Sequence, residues 1–404
     1  MARSNRMNPT ELRASLSLAA IFGLRLFGMF IILPVFVIYA EHLDGGHDMA
    51  LVGIAMGAYG LTQAILQIPF GWWSDRYGRK PVIYMGLAMF ALGSFVAAMA
   101  SSVQVVIVGR ILQGAGAISG AVIAMVADLT REEHRTKAMA LIGGTIGVAF
   151  ALSLVVSPVL NRLIGVPGIF ALTGLLALSA IVVVWRVVPN PTGPVAPARG
   201  TVAEFRSLLS DGQLLRLNYG IFALHALLMA MFIALPLSLR DAGLPVAQHW
   251  HVYLPVMLLS FVLMMPAVMR TGRGTQLKRY FVFAVALVLL AQVLLYVLPA
   301  HFWPLAVVLL VFFTAFNVLE AMLPALISRM APPQSKGAAL GIYSSVQFLG
   351  TFVGSAIGGY AYGRWGAHGV TMLCAALAAI WLVVATGMKV PDRTPAASFG
   401  AAAT

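Results

Sequence analysis

The chain has 404 residues, 60% of them hydrophobic and only 10% charged, with a mean hydropathy of +0.92. That lies far outside the soluble globular range and indicates a polytopic membrane protein, while the single cysteine, Cys374, excludes a disulfide framework or a cysteine metal site within the chain. A net charge of +13 would suit nucleic acid, but its placement excludes that partner: 21 of the 26 Lys and Arg fall at the chain start, in alternate loops and near the end.

Twelve apolar stretches are predicted as spanning helices, near 15–40, 50–72, 80–100, 103–127, 138–160, 167–188, 216–240, 249–270, 279–299, 303–328, 337–361 and 367–388. Each approaches or exceeds the roughly 20 apolar residues that cross a bilayer. The expected fold class is all-α, with residues 1–14 as an N-terminal segment, 15–188 as one six-helix bundle and 216–388 as a second. Between them, 189–215 holds Pro189, Pro191, Pro194 and Pro197, then a short amphipathic helix from Val202 to Leu209, and reads as a tether with an interfacial segment. Residues 389–404 form a small-residue tail. Only Arg162, Arg240 and Arg364 lie in the opposing loops, so the basic loops and both termini are expected in the cytoplasm, against anionic lipid headgroups. The basic start runs into a long apolar helix without a clear cleavage site and reads as a retained span.

Taken in chain order, span 1 carries Arg25 and Phe30, and its Met29-Phe-Ile-Ile-Leu-Pro34 recurs as Met231-Phe-Ile-Ala-Leu-Pro236 in span 7, an internal repeat. Loop 1–2 is acidic (Glu41, Asp44, Asp48) and reads as a solvated outer loop rather than a metal site. Span 2 carries Gln63 and Gln67. The pairs Gly53/Gly57 (span 2) and Gly143/Gly147 (span 5), with Gly350, Gly354 and Gly358 (span 11), have the spacing that lets helix backbones approach; they serve either plain packing or a sliding interface between the halves. Span 4 carries Arg110 and ends at Asp128. Span 7 carries Asn218 and His225, span 10 Phe316, Asn317 and Glu320, and span 11 Tyr343, Gln347 and Phe348.

Ionisable groups thus fall inside spans 1, 4, 7 and 10, every third helix. A charge near a bilayer centre costs roughly 2.5–3.5 kcal/mol on insertion scales, so such groups are expected to face a wet, functional interior. Glu320 is the carboxylate well inside a span and is the leading candidate to carry a proton, against a structural ion pair with Arg25 or His225. His225, Arg110 and Asp128 are further candidates. Arg25, Gln63, Gln67, Asn218, Asn317, Tyr343, Gln347, Phe30, Phe316 and Phe348 are candidates to line an amphipathic cavity.

Loop 2–3 reads Gly71-Trp-Trp-Ser-Asp75-Arg76-Tyr-Gly78-Arg79-Lys80, a tight turn with an internal charge cluster. Gly71 is expected to let a neighbouring helix approach and Gly78 to take a positive φ. This stretch resembles the G-x-x-x-D-R-x-G-R-K signature of the major facilitator superfamily, and Arg110-Ile-Leu-Gln113-Gly114 is similar to that family's R-x-x-Q-G motif. Residues 61–71, 128–132 and 317–321 look like a branch of proton-driven efflux transporters of Gram-negative inner membranes. That branch carries a small soluble domain after its last helix, for which this sequence stops too early. The antiport motif expected in span 5 is replaced by Ser157-Pro158-Val-Leu.

The resemblance implies two pseudo-symmetric bundles, with spans 1, 4, 7 and 10 around a central cavity. It also implies that Asp75 sits at the start of span 11 near Lys336-Gly337, where free N–H groups favour an anion. Arg76 or Arg79 would pair with Asp128, the cluster latching one state of the cycle. The expected protein is a monomeric secondary transporter of the inner membrane that exports a small organic compound in exchange for protons. It is expected to need no cofactor or metal, with the proton gradient as energy source. Proton-coupled uptake would use the same groups. A receptor or an intramembrane enzyme fits less well: no Walker A sequence, nucleophile–base pair or metal cluster stands out.

Overall fold

Hydrocarbon offers backbone groups no partner, so an apolar chain of this length is driven to satisfy its N–H and C=O groups within continuous helices. The computed structural model describes residues 7–190, 202–270, 274–299, 301–332 and 335–389. Arg3, Arg6, linker residues 191–201, Arg273 and the tail from residue 390 lie outside the described residues. Thirteen α-helices are described: α1 (Pro9–Phe30), α2 (Phe36–Ala40), α3 (Met49–Tyr77), α4 (Arg79–Ala98), α5 (Val103–Ala115), α6 (Ser119–Asp128), α7 (Glu132–Arg186), α8 (Val202–Ser210), α9 (Gly212–Asp241), α10 (Trp250–Arg270), α11 (Gly274–Val297), α12 (Phe302–Met330) and α13 (Lys336–Thr386). Among the described residues the sole β feature is one bridge, Asp44 to Ser102.

Ten helical stretches, counting α5 with α6, are long and apolar enough to cross a membrane. Two of them cross twice. At 1.5 Å per residue the 55 residues of α7 would run about 80 Å, far beyond a hydrocarbon core of about 30 Å. α7 instead bends at Gly165 (φ 65°), and the 51-residue α13 bends at Gly366 (φ 64°). Only glycine takes that left-handed backbone readily. The two bends turn ten stretches into twelve crossings, an all-α membrane fold of two six-helix bundles.

Polar caps set several helix starts. Asn8 Oδ1 accepts from Glu11 N (2.7 Å) while Asn8 N donates to Glu11 Oε2 (2.9 Å), a capping box with Pro9 at the first turn. Asp48 and Asp211 cap α3 and α9 without a reciprocal box, each carboxylate accepting from two backbone N–H groups of the first turn. These caps move two expected boundaries: the first helix begins at Pro9 rather than residue 15, and α9 begins at Gly212 rather than 216. The expected amphipathic helix in the tether is α8.

Spans 1 and 4 are broken, where the sequence suggested continuous helices. Pro34 has no N–H to offer, and the chain turns through Ile31–Val35 before α2, with Leu33 N bonded to Phe30 O (3.0 Å) and Phe36 N to Ile32 O (2.8 Å). Pro236, in the repeated motif, stays inside the continuous α9. Span 4 breaks at Gly116–Ile118, and Arg25 Nη1 reaches across to donate to the Gly116 carbonyl at 3.2 Å. The Gly116 carbonyl also accepts from Ile118 N at 2.8 Å, so the guanidinium is its second donor and ties α1 to the break.

The start of α1 and the α3–α4 turn lie on one face, the basic face; Glu41 and the start of α3 lie on the opposite face. α9 is enclosed most completely of all the long helices, with 94% of its apolar window buried.

Candidate functional site

Helix α12 brings Glu320 toward α9 and α13. Gln347 Nε2 lies 2.8 Å from His225 Nε2 and donates to Glu320 Oε1 at 3.3 Å, while Glu320 Oε2 stands 4.0 Å from His225 Nε2. His225 is 2% exposed and the Glu320 side chain 22% exposed, although the Glu320 Oε2 atom is itself buried. Glu320 Oε2 has no hydrogen-bond partner, and neither does the buried Tyr343 hydroxyl, which lies within electrostatic reach of the carboxylate. One turn away Asn317 Nδ2 donates to Ser260 Oγ of α10 at 2.9 Å. The expected Asn317/Glu320 and Tyr343/Gln347 faces therefore meet at one cluster. Asn218 is 7% exposed and its Oδ1 has no partner.

An aromatic partition stands on the opposite-face side of this cluster. Phe150 of α7 packs edge-on to Phe30 (centroids 5.0 Å), stacks on Phe316 (5.6 Å) and meets Phe313 (5.8 Å); Phe316 in turn lies 5.9 Å from the His225 ring. Phe150 belongs to the first bundle and Phe313 and Phe316 to the second, so the partition closes the space between them. Phe348 crosses the same divide to Tyr59 at 6.4 Å.

The glycines show which side is shut. A Cβ on Gly53, Gly57 or Gly60 of α3 would strike the backbone of α13 at Ser355, Phe352 or Phe348, and one on Gly359 would strike Met49 and Gly53. Toward the basic face the bundles part. A Cβ on Gly71, Gly143, Gly144, Gly337 or Gly341 would meet nothing within 4 Å, and Gly147 is 3.9 Å from Phe261. The structure is closed at the opposite face and open toward the basic face.

Gly350, Gly354 and Gly358 correct the idea that the span 11 glycines form a sliding interface. They pack on Phe222, Ala226 and Ala230 of α9, within the second bundle; the between-bundle contact is made one residue further round the helix, at Ser355 and Gly359. Their regular spacing marks close packing but not which neighbour is packed.

The first bundle holds a second polar cluster. Arg110 is 1% exposed, donates to Gln113 Oε1 at 2.9 Å and to the Met56 carbonyl at 3.4 Å, and lies 5.0 Å over the Tyr59 ring. Gln113 Nε2 continues to Ser94 Oγ at 2.8 Å. Arg25, 2% exposed, also approaches the Tyr59 ring, at 6.0 Å. Arg25 is thus placed on Gly116 and Tyr59, which corrects its reading as counter-ion to Glu320; the group beside that carboxylate is the His225 imidazole. Gln63 Nε2 donates to Gln67 Oε1 at 3.0 Å, while the buried Gln63 Oε1 has no partner.

In the α3–α4 turn Gly78 takes φ 95°, as the motif suggested. Arg79, 6% exposed, is its centre: Nε donates to Asp128 Oδ2 at 2.9 Å, and Nη1 to Ser74 Oγ at 2.8 Å and to Asp75. Of the two arginines suggested for Asp128, the structure selects Arg79; Arg76 lies over the Trp72 and Tyr77 rings instead. Asp75 is spent on Arg79 rather than on the start of α13, because the bundles are parted there. A Cβ on Gly71 would meet nothing within 4 Å with this face open, yet its Cα lies 3.8 Å from a Cβ built on Gly120 of α6; Lys80 is the next residue of α4. A neighbouring pair was not foreseen: Glu11, 4% exposed, accepts from Arg131 N (3.0 Å), Nε (2.8 Å) and Nη2 (3.0 Å). That carboxylate raises Arg131 above the usual guanidinium range. The signal was the Asn8-Pro9-Thr10-Glu11 capping box, which places an acid at the start of a helix facing basic loops.

Two bundles parted on one face and sealed on the other, around buried polar groups, define a multi-pass transporter rather than an enzyme. The family model described as Major Facilitator Superfamily matches residues 18–277 and 273–403, and the chain belongs to that family. It is 46% identical over 388 residues to the inner membrane transport protein YajR of Escherichia coli strain K12, across 96% of this chain and 85% of that protein. A 140-residue stretch is 34% identical to the class E tetracycline resistance protein of Escherichia coli, about a third of each chain. Among solved structures, a bacterial homologue of the human lysosomal transporter Spinster, inward-facing and occupied, superposes with a TM-score of 0.72 at 13% identity, covering 94% of this chain and 96% of that one. At that identity it shows the shared fold.

Proposed function

We propose that this transporter exports a small organic compound across the inner membrane in exchange for protons, with its basic face in the cytoplasm. One observation carries the reading: Glu320 is a carboxylate within a spanning helix, its side chain 22% exposed, joined through Gln347 to His225 on the neighbouring α9. Gln347 belongs to α13, the helix that also packs on α3 of the other bundle. A proton arriving on Glu320 removes the charge that Gln347 and His225 face, so loading is felt on the helix that joins the bundles. When the bundles rock, the aromatic partition opens and the same carboxylate meets the other side, the logic of alternating access. The kinship with an inner membrane transport protein and with a tetracycline resistance protein favours export from the inner membrane.

The test is flux in proteoliposomes under an imposed pH gradient, for a panel of amphipathic compounds, comparing wild type with Glu320→Gln. Gradient-driven flux lost in the variant, with binding and exchange at equal pH retained, supports the proposal. Gradient-driven flux that survives moves the proton site to Asp128 or His225.

A further inference from the structure

Away from the Glu320 cluster, α9, α11, α12 and the last half of α13 enclose a cavity of about 160 Å³. Its walls are mostly apolar, with Met231, Leu235, Leu295 and Val308 among them, and Ser238 and Thr371 add hydroxyls. Its mouth, where Leu298, Pro299 and His368 are exposed, lies on the face opposite the basic one. Gln292 also lines it. This side chain is 0% exposed, yet neither its Nε2 nor its Oε1 has a hydrogen-bond partner. Leaving a buried amide unpaired at both ends is costly, so a group that completes it gains in proportion.

We propose that this cavity is a second ligand site, for a small ring compound bearing a primary amide, lactam or imide edge. The two free atoms of Gln292 ask for one acceptor and one donor side by side, which such an edge supplies in a paired, two-bond contact. The apolar walls ask for an uncharged body, and a cavity of about this size holds one six-membered ring. Met231 and Leu235 come from α9, one to three turns before Arg240, which bonds to Glu41 of the other bundle. An occupant therefore bears on the helix that closes this face, and the site is independent of the proton-carrier reading of Glu320.

The probe is benzamide, titrated against the full-length protein in lipid nanodiscs by ligand-observed NMR. Saturable binding is expected, weakened at least about tenfold by Gln292→Leu, which removes both hydrogen bonds, abolished by Ala234→Phe, which fills the cavity from α9, and unchanged by Glu320→Gln. Each variant is first shown to be monodisperse and to melt cooperatively. Gln292→Leu removes an unpaired buried amide and should fold at least as well as wild type. The proposal is overturned if wild type shows no saturable binding at millimolar benzamide, as a cavity that holds only water would behave. It is overturned equally if Gln292→Leu binds as wild type does, or if Glu320→Gln weakens binding instead.

Discussion

Arg240 Nη1 donates to Glu41 Oε2 at 2.8 Å, joining the end of α9 in the second bundle to the end of α2 in the first. The pair lies on the closed face, and its side chains are 39% and 38% exposed. Its partners part if the two bundles rock open there. The pair is therefore a contact specific to the state in which that face is shut.

Glu41→Gln is expected to shift the balance toward the opposite conformation by a few-fold, in line with the 0.2–1 kcal/mol of an exposed ion pair. Spin-label distances across that face would read the shift. The charge-swapped double variant Glu41→Arg/Arg240→Glu should restore the wild-type distribution; a double variant no better than the single one would count against the contact.

Arg79 and Arg76 should differ sharply on replacement by Ala. Loss of Arg79 leaves Asp128 and Asp75 without the cation they share, and breaking a buried pair from one side costs about 3–5 kcal/mol at the extreme; thermal stability in detergent should fall clearly. Arg76→Ala removes only contacts with the Trp72 and Tyr77 rings, worth roughly 0.5–1 kcal/mol at an exposed site. Equal losses in the two variants would show that Arg79 is not the centre of the cluster.

Glu11→Gln keeps the shape of the side chain but loses the charge that three Arg131 N–H groups face. Hydrogen bonds to charged groups are worth about 1.5–3 kcal/mol, so a lowered melting temperature is expected. The capping contact to Asn8 N should survive, and hydrogen exchange should therefore rise at the α6–α7 turn before it rises along α1.

Gly57→Ala places a methyl 2.9 Å from the Phe352 Cα, where nothing flexible can yield. Closure of this face should be impaired and transport reduced at least about tenfold, with α3 itself intact. Gly71→Ala, with nothing within 4 Å in this state, is expected to close this face as wild type does. Spin-label distances across this face in the two variants separate the glycine its closure needs from one it does not.

The apolar runs and the alternation of basic loops made the helices and the twofold division legible, because membrane insertion acts on each segment by itself. Glu320, His225, Gln347 and Asn317 were legible as polar interruptions of apolar helices, and α9, α12 and α13 bring them together. The breaks at Ile31–Val35 and Gly116–Ile118 were not legible: Pro34 and Pro236 share one motif, yet only the first ends a helix, and the choice rests on neighbours far away in sequence. The partner of Arg25 was not legible for the same reason, since it is the Gly116 carbonyl at the second break. Phe150 and Phe313 looked like two of many apolar residues, and Gln292 like an incidental amide. Their roles come from who stands opposite, which spacing along one helix does not report.

Gly165 and Gly366 bend their helices at corresponding points of the two bundles, with φ of 65° and 64° and an offset close to that between Met29 and Met231. Two unrelated bundles would have no reason to share such a bend at such a place. The pairing reads as an inheritance: one ancestral six-helix unit, copied and fused, whose copies have since drifted apart. On that history the kink at Pro34 and the straight helix at Pro236 are divergent outcomes of one ancestral segment. The ionisable machinery diverged likewise, with arginines buried in the first copy and an acid and a histidine in the second.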